Sequence, residues 1–226
     1  MDSSSPAPGK PSAPVLRPSG TTATPGTIET TWEDWVLGGG ARSAFPRPDL
    51  PLHVEIGPGE DAFLLDQARA HPEANWLGIE YSAKRIAKYA RRVRREAGDL
   101  GNLRLIWRPA ADLIEEFLSP AVVTAYYANF PDPWPKKHHA RYRLFTPEFA
   151  ARLAVSLVPG GFVQVATDAP AYAEEIHAAF STVPSVRSAH PAPGWARLPA
   201  GARTTVFEQR WREEGRDIHY LRFDRV

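Results

Sequence analysis

From residue 52 onward, short apolar runs alternate with longer stretches in which apolar positions fall three or four residues apart. The runs LHVEI (52–56), NWLGIE (75–80), LRLIW (103–107), VVTAYYANF (122–130) and GFVQVATD (161–168) are rich in β-branched and aromatic residues and predict strands. The intervening stretches, at about 61–71, 82–97, 111–118, 147–157 and 170–181, carry the helical spacing. Strands that alternate with helices of this length imply crossover units, a parallel sheet and helices on both faces, which is a doubly wound α/β fold. The final segments TTVFEQRW and IHYLRFDRV read as extended chain closing one edge, as an antiparallel pair.

Composition limits this picture in three ways. Residues 1–27 are Ser, Pro, Gly, Thr and Ala with almost no large apolar side chains, so a disordered tail is expected there and one domain over 28–226. The chain has no cysteine, which removes disulfides, thiolate nucleophiles and cysteine-ligated zinc together. Adjacent His138 and His139 are not spaced to ligate one ion, so no metal is expected. No apolar run is long enough to span a bilayer, and the opening residues lack the apolar centre of a signal peptide, so the expected setting is cytoplasmic.

The first strand runs into VEIGPGED, which puts Glu55, Gly57 and Gly59 on a strand-to-helix turn where backbone can approach a ligand. The second strand ends in Glu80, at the distance where a carboxylate accepts from ribose hydroxyls. Together they suggest an adenosine-containing cofactor. Ala62 stands at the third glycine of a phosphate-binding turn, and Glu55 would repel a pyrophosphate but attract a cation. S-adenosylmethionine, with a sulfonium and an ammonium and no phosphate, fits better than a dinucleotide.

Two further segments carry charge. YSAKRIAKYARRVRRE would bury Ile86, Tyr89, Ala90 and Val93 and leave seven cations outside, a surface either merely solvated or in contact with phosphate. NFPDPWPKKHHARYR places Asp132 at the end of the fourth strand between two prolines that fix its direction. Trp134 offers a ring for stacking, and Lys136, Lys137, His138, His139, Arg141 and Arg143 could hold phosphate. A carboxylate, a flat ring and a basic run suit a guanine and its backbone.

EIGPG, LGIE, NFPDPWPKKHHARYR with LFTPEF, VPGGFVQVATD and TVFE, in this order over about residues 52–210, resemble the tRNA (guanine-N7)-methyltransferases of the bacterial single-subunit type. The resemblance implies a Rossmann-like class I methyltransferase sheet, mostly parallel with an antiparallel edge strand. It also implies methyl transfer from S-adenosylmethionine to guanine N7 in the tRNA variable loop. Glu55, Gly57, Gly59, Glu80, Pro109, Ala110 and Asp132 would then line the cofactor site, with Asp132 the central acid. Lys136, Asp168, Thr205, Val206, Phe207 and Glu208 would meet the target nucleotide. The implied partner is tRNA, with no membrane, and the chain would work as a monomer or a homodimer.

The chain departs from the family pattern at three places. Pro109 replaces an acid that often meets the adenine amine, with Asp112 or the backbone near Ala110 as substitutes; Asp61 replaces a third glycine; and WREEGRD (211–217) lacks the usual glycines. These motivate one alternative, a tRNA-binding scaffold with weak or lost methyl transfer. A second alternative reads D-P-W as a relative of the D-P-P-W loops of exocyclic-amine methyltransferases, although the double proline is missing.

Overall fold

The computed structural model describes residues 41–98, 100–117, 120–191, 193–196 and 206–226, so the expected boundary of the tail lies outside the described residues. Strands β1 (Leu52–Ile56), β2 (Asn75–Glu80), β3 (Leu103–Trp107), β4 (Val123–Asn129), β5 (Leu157–Thr167), β6 (Val186–Ser188) and β7 (His219–Arg225) form one sheet. Their order is β3-β2-β1-β4-β5-β7-β6. The first five are mutually parallel; β7 runs antiparallel to β5 and to β6. The helices are α1 (Phe63–Ala70), α2 (Ala83–Ala97), α3 (Ala110–Phe117), α4 (Pro147–Ser156), α5 (Pro170–Ser181) and α6 (Val206–Glu213).

Local chemistry sets several boundaries. Ser82 caps α2 by accepting from the Arg85 N–H at 3.4 Å, and Thr146 caps α4 by accepting from Phe149 N–H at 3.2 Å. Pro147 and Pro170 occupy first-turn positions of α4 and α5, where a missing N–H costs nothing.

The sheet has a core on each face. On one side Val54, Ile56, Leu77 and Ile79 meet Ile114 of α3, Phe149 and Leu153 of α4, and Ile176 and Phe180 of α5. On the other, Trp76, Leu103 and Leu105 meet Leu64 and Leu65 of α1 and Ile86, Tyr89 and Val93 of α2. Each fully buried Leu, Ile or Phe contributes about 1.5–3 kcal/mol. A Cβ on Gly78 would lie 2.6 Å from Leu64 Cδ2 and 2.8 Å from Leu105 Cδ2, so the bare position lets both leucines pack directly over β2. The Tyr89 hydroxyl accepts from Leu65 N–H at 3.1 Å and ties α2 to α1.

The structure corrects the reading of the C-terminal region. Of the segment TTVFEQRW (204–211), expected to be extended, residues 206–211 lie in helix α6. Two i,i+4 ion pairs favour the helix, Glu208 with Arg212 and Arg210 with Glu214. The expected antiparallel strand beside the parallel set is β7, and an unforeseen three-residue β6 pairs beyond it. β5 begins at Leu157, earlier than expected, because Val158 to Gly161 bulge out between the pairs Val123–Leu157 and Ala125–Phe162.

Strand order reverses between β1 and β4. The two chains of crossovers diverge there, and the carboxyl ends of β1, β2, β4 and β5 open onto a crevice, the usual ligand position of a doubly wound sheet.

Candidate active site

Two adjoining clefts of ≈ 360 Å³ and ≈ 490 Å³ occupy this crevice. They share a wall of Gly57, Arg85, Asn129, Phe130, Pro131 and Asp132. The smaller is bounded by Glu80, Tyr81, Pro109, Ala110, Trp134 and Tyr142. The larger is bounded by Glu55, Gly59, Asp61, Asp168, Trp211 and Arg216.

Gly57 and Gly59 have φ of 70° and 58°, left-handed values that let the chain turn tightly out of β1. This turn brings Gly59 N–H to Glu80 Oε2 at 3.3 Å, while Ser82 N–H reaches Glu80 Oε1 at 2.9 Å. The Glu80 carboxylate is thus aimed by backbone on both sides before any ligand arrives. Asp61 is also employed: its Oδ1 accepts from Phe63 N–H, the first of α1, at 3.1 Å.

Glu55 is almost wholly buried, at 1% exposure. Its Oε1 accepts from Asn129 Nδ2 at 2.9 Å, and its Oε2 has no hydrogen-bond partner of normal geometry. Burial pushes the carboxyl up to about 8; the Asn129 amide and the Leu64 backbone N–H oppose that shift, and the nearby Asp61 charge adds to it. A buried carboxylate on the wall of a cleft is a receptor for a cation. That is what an ammonium-bearing, phosphate-free cofactor would offer.

Asp132 is exposed on the wall common to both clefts. Its loop is bracketed by Phe130 at φ 53° and Trp134 at φ 42°, two non-glycine residues in the left-handed region. Such backbone persists only if neighbours over-determine it. Phe130 N–H donates to Ala166 O at 2.8 Å. Arg143 donates from Nε to Pro133 O at 2.7 Å and from Nη2 to Trp134 O at 3.0 Å. Its Nη1 pairs with Glu175 of α5, and its guanidinium lies over the Tyr172 ring at 5.5 Å. Arg143, which the sequence offered as a phosphate ligand, is therefore engaged in pinning the loop.

The other expected residues divide. Pro109 and Ala110 line the smaller cleft, whereas Asp112 does not. Asp168 lines the larger and is held by Arg216 Nη1 at 2.7 Å, with that guanidinium stacked 3.8 Å over Trp211. Lys136 is exposed and borders neither cleft. Glu208 is buried at 2% exposure, accepts from Arg212 Nε at 2.9 Å and from the Tyr220 hydroxyl, and also borders neither. Thr205 lies outside the described residues, and Val206 and Phe207 open α6. Sequence reasoning gave no role to Asn129, Arg216 or Trp211. Asn129 left one signal, a polar side chain at the carboxyl end of an otherwise apolar strand.

A family model described as a methyltransferase matches residues 49–221. Among curated proteins, the tRNA (guanine-N(7)-)-methyltransferase of Acidovorax sp. (strain JS42) is 34% identical over 185 residues, 82% of this chain and 72% of that protein. The protein of the same name from Nitrosospira multiformis is 35% identical over 167 residues, covering 74% and 70%. Among solved structures, the antibiotic-resistance methyltransferase Kmr superposes with a TM-score of 0.54 at 19% identity, covering 78% of this chain and 87% of that one. The 16S rRNA methyltransferase KamB gives 0.53 at 16% identity, covering 82% and 90%. At these identities the likeness is one of fold.

Proposed function

The chain belongs to the tRNA (guanine-N(7)-)-methyltransferase family, and on that premise we propose that it methylates guanine N7 in the tRNA variable loop. The observation that carries this reading is the pair of clefts meeting at Asp132, one bounded by Glu80 and the other by Glu55 and Asp168. When bound, S-adenosylmethionine supplies a methyl group that bonds to the N7 lone pair while the C–S electron pair returns to sulfur.

Guanine N7 carries no proton, so no residue has to act as a general base. What the protein supplies is position and charge. Glu80, oriented by two backbone N–H groups, would accept from the ribose hydroxyls. Glu55 Oε2 would take the ammonium, and Pro109 and Ala110 would face the adenine without a carboxylate. Gly57 and Gly59 would leave room beside the methionyl part.

Asp132 would orient the guanine and oppose the positive charge that grows on its imidazole ring, with Asp168 adding to that field. The two strained residues and Arg143 keep Asp132 in place beforehand. Glu208 would act by anchoring the start of α6 to β7 through Tyr220, Thr205, Val206 and Phe207 would meet the nucleotide, and Lys136 would reach a phosphate.

Among the described residues, no helix is long and apolar enough to cross a membrane. A tRNA substrate supports a cytoplasmic site of action.

The test is to incubate the purified chain with unmodified tRNA and methyl-labelled S-adenosylmethionine, digest the RNA and identify the labelled nucleoside by mass spectrometry. Label in 7-methylguanosine, mapped to a variable-loop fragment, is expected. Label in a base amine instead, or none with tRNA still bound, would replace this reading with one of the two alternatives.

A further inference from the structure

Helix α2 carries seven of the chain's 27 lysines and arginines and a single acid, Glu96, although the whole chain has a formal charge of only +1. The cations are not scattered. Lys84, Lys88, Arg91 and Arg95 follow the spacing i, i+4, i+7, i+11, which keeps them within about 60° of one another around the axis and along about 16 Å of its length. Each is exposed. The opposite side of the helix, Ile86, Tyr89, Ala90 and Val93, is buried in the core, so the stripe faces directly outward.

Neutralisation of the stripe is partial. Lys88 pairs with Glu60 and Arg95 with Glu96, while Lys84 and Arg91 make no ion pair with another described residue. Like charges three and four residues apart repel, so the arrangement weakens the helix on its own. The stripe also starts at the site. Arg85, the residue after Lys84, lies on the wall shared by the two clefts, with its guanidinium 6.0 Å from the centre of the Tyr81 ring.

We infer that the outward stripe of α2 is a docking rail for the tRNA phosphate backbone, running from the cleft mouth at Arg85 out to Arg95. The inference rests on the tRNA reading given above and adds to it the surface by which the RNA is held. A polyanion with regularly repeated charges suits a linear row of cations, and it would release the counterions gathered there. An anionic membrane suits it less, because an interfacial helix must turn apolar side chains outward and α2 has buried its own.

The test removes the rail and leaves the site intact. In the full chain, Lys84, Lys88, Arg91 and Arg95 are all changed to Gln, a good helix former, at exposed positions. A control variant changes Arg187, exposed on β6 at the far edge of the sheet. Binding of fluorescently labelled, unmodified tRNA is measured over a range of salt, with S-adenosylmethionine affinity followed by calorimetry.

The expected result is a KM for tRNA raised about tenfold or more and a slope of log affinity against log salt reduced by about 3. Cofactor affinity stays at the wild-type value, and the control keeps the wild-type slope. A quadruple variant with wild-type slope and KM would overturn the rail while the methyltransferase reading stands. A wild-type chain that makes no 7-methylguanosine, yet loses tRNA binding in the quadruple variant, would overturn the reaction and keep the rail. Wild-type protein that ignores tRNA, or binds phosphatidylserine vesicles in its place, would overturn the rail.

Discussion

Asn129 and Glu55 meet across neighbouring strands on the wall of the larger cleft, the Asn129 amide donating to Glu55 Oε1 at 2.9 Å. The folded carboxyl is pushed up to about 8 by burial, from an ordinary 4.5. Between those values the folded chain holds a proton that the unfolded chain releases, so this group makes the protein most stable below 4.5 and less stable as pH rises to about 8. Binding a cation at Oε2 requires the ionised form and runs the other way. Cofactor affinity is expected to rise with pH across that window, by up to about tenfold per unit, and Glu55→Gln should flatten the profile. Calorimetric titration at several pH values checks both, and a wild-type affinity that does not change with pH would refute the assignment.

Asp132→Asn keeps size and the strained loop but removes the charge. Transfer should fall about 10²-fold or more, with unchanged melting temperature and cofactor affinity. Single-turnover methylation is the appropriate readout, because it separates chemistry from product release. Full turnover in this variant would remove Asp132 from the centre of the site.

Arg143→Lys retains a positive charge but cannot bridge Pro133 O, Trp134 O and Glu175 as a planar fork does. The loop that carries Asp132 should loosen. About 1–2 kcal/mol of stability is expected to go, and kcat should drop about tenfold while cofactor affinity holds. If the loss appeared in tRNA KM alone, Arg143 would be a phosphate ligand after all.

Much of this fold was legible because the first four parallel strands are short, mainly apolar runs, whereas the start of β5 was hidden by Pro159, Gly160 and Gly161. The α6 segment was not legible as a helix: TTVFEQRW has a β-branched start, and its helical support comes from Glu208–Arg212, Arg210–Glu214 and the bond to Tyr220, a partner a dozen residues away. In the site, the glycine turn, Glu80 and Asp132 announce themselves by spacing. The Arg143 pin and the Arg216–Asp168 pair do not, because they depend on which long side chain folds back onto which carbonyl or carboxylate.

Gly161→Ala tests the bulge in β5. A Cβ there would lie 2.8 Å from Thr124 O and 2.9 Å from Val158 O, both backbone atoms that cannot swing aside. The variant should lose about 1–3 kcal/mol in chemical denaturation. An unchanged midpoint would mean that the bulge relaxes freely.

The position of β7 also decides the order in which the sheet can close. β6 is made before β7 yet pairs with β7 alone among the described strands, and β5 is left with a bare edge until β7 reaches it. The five parallel strands can therefore assemble first, but β6 must wait for a strand that lies beyond α6 in the chain. Until then the unpaired edge of β5, with Val163 and Val165 along it, is the place where two half-folded copies would join to each other.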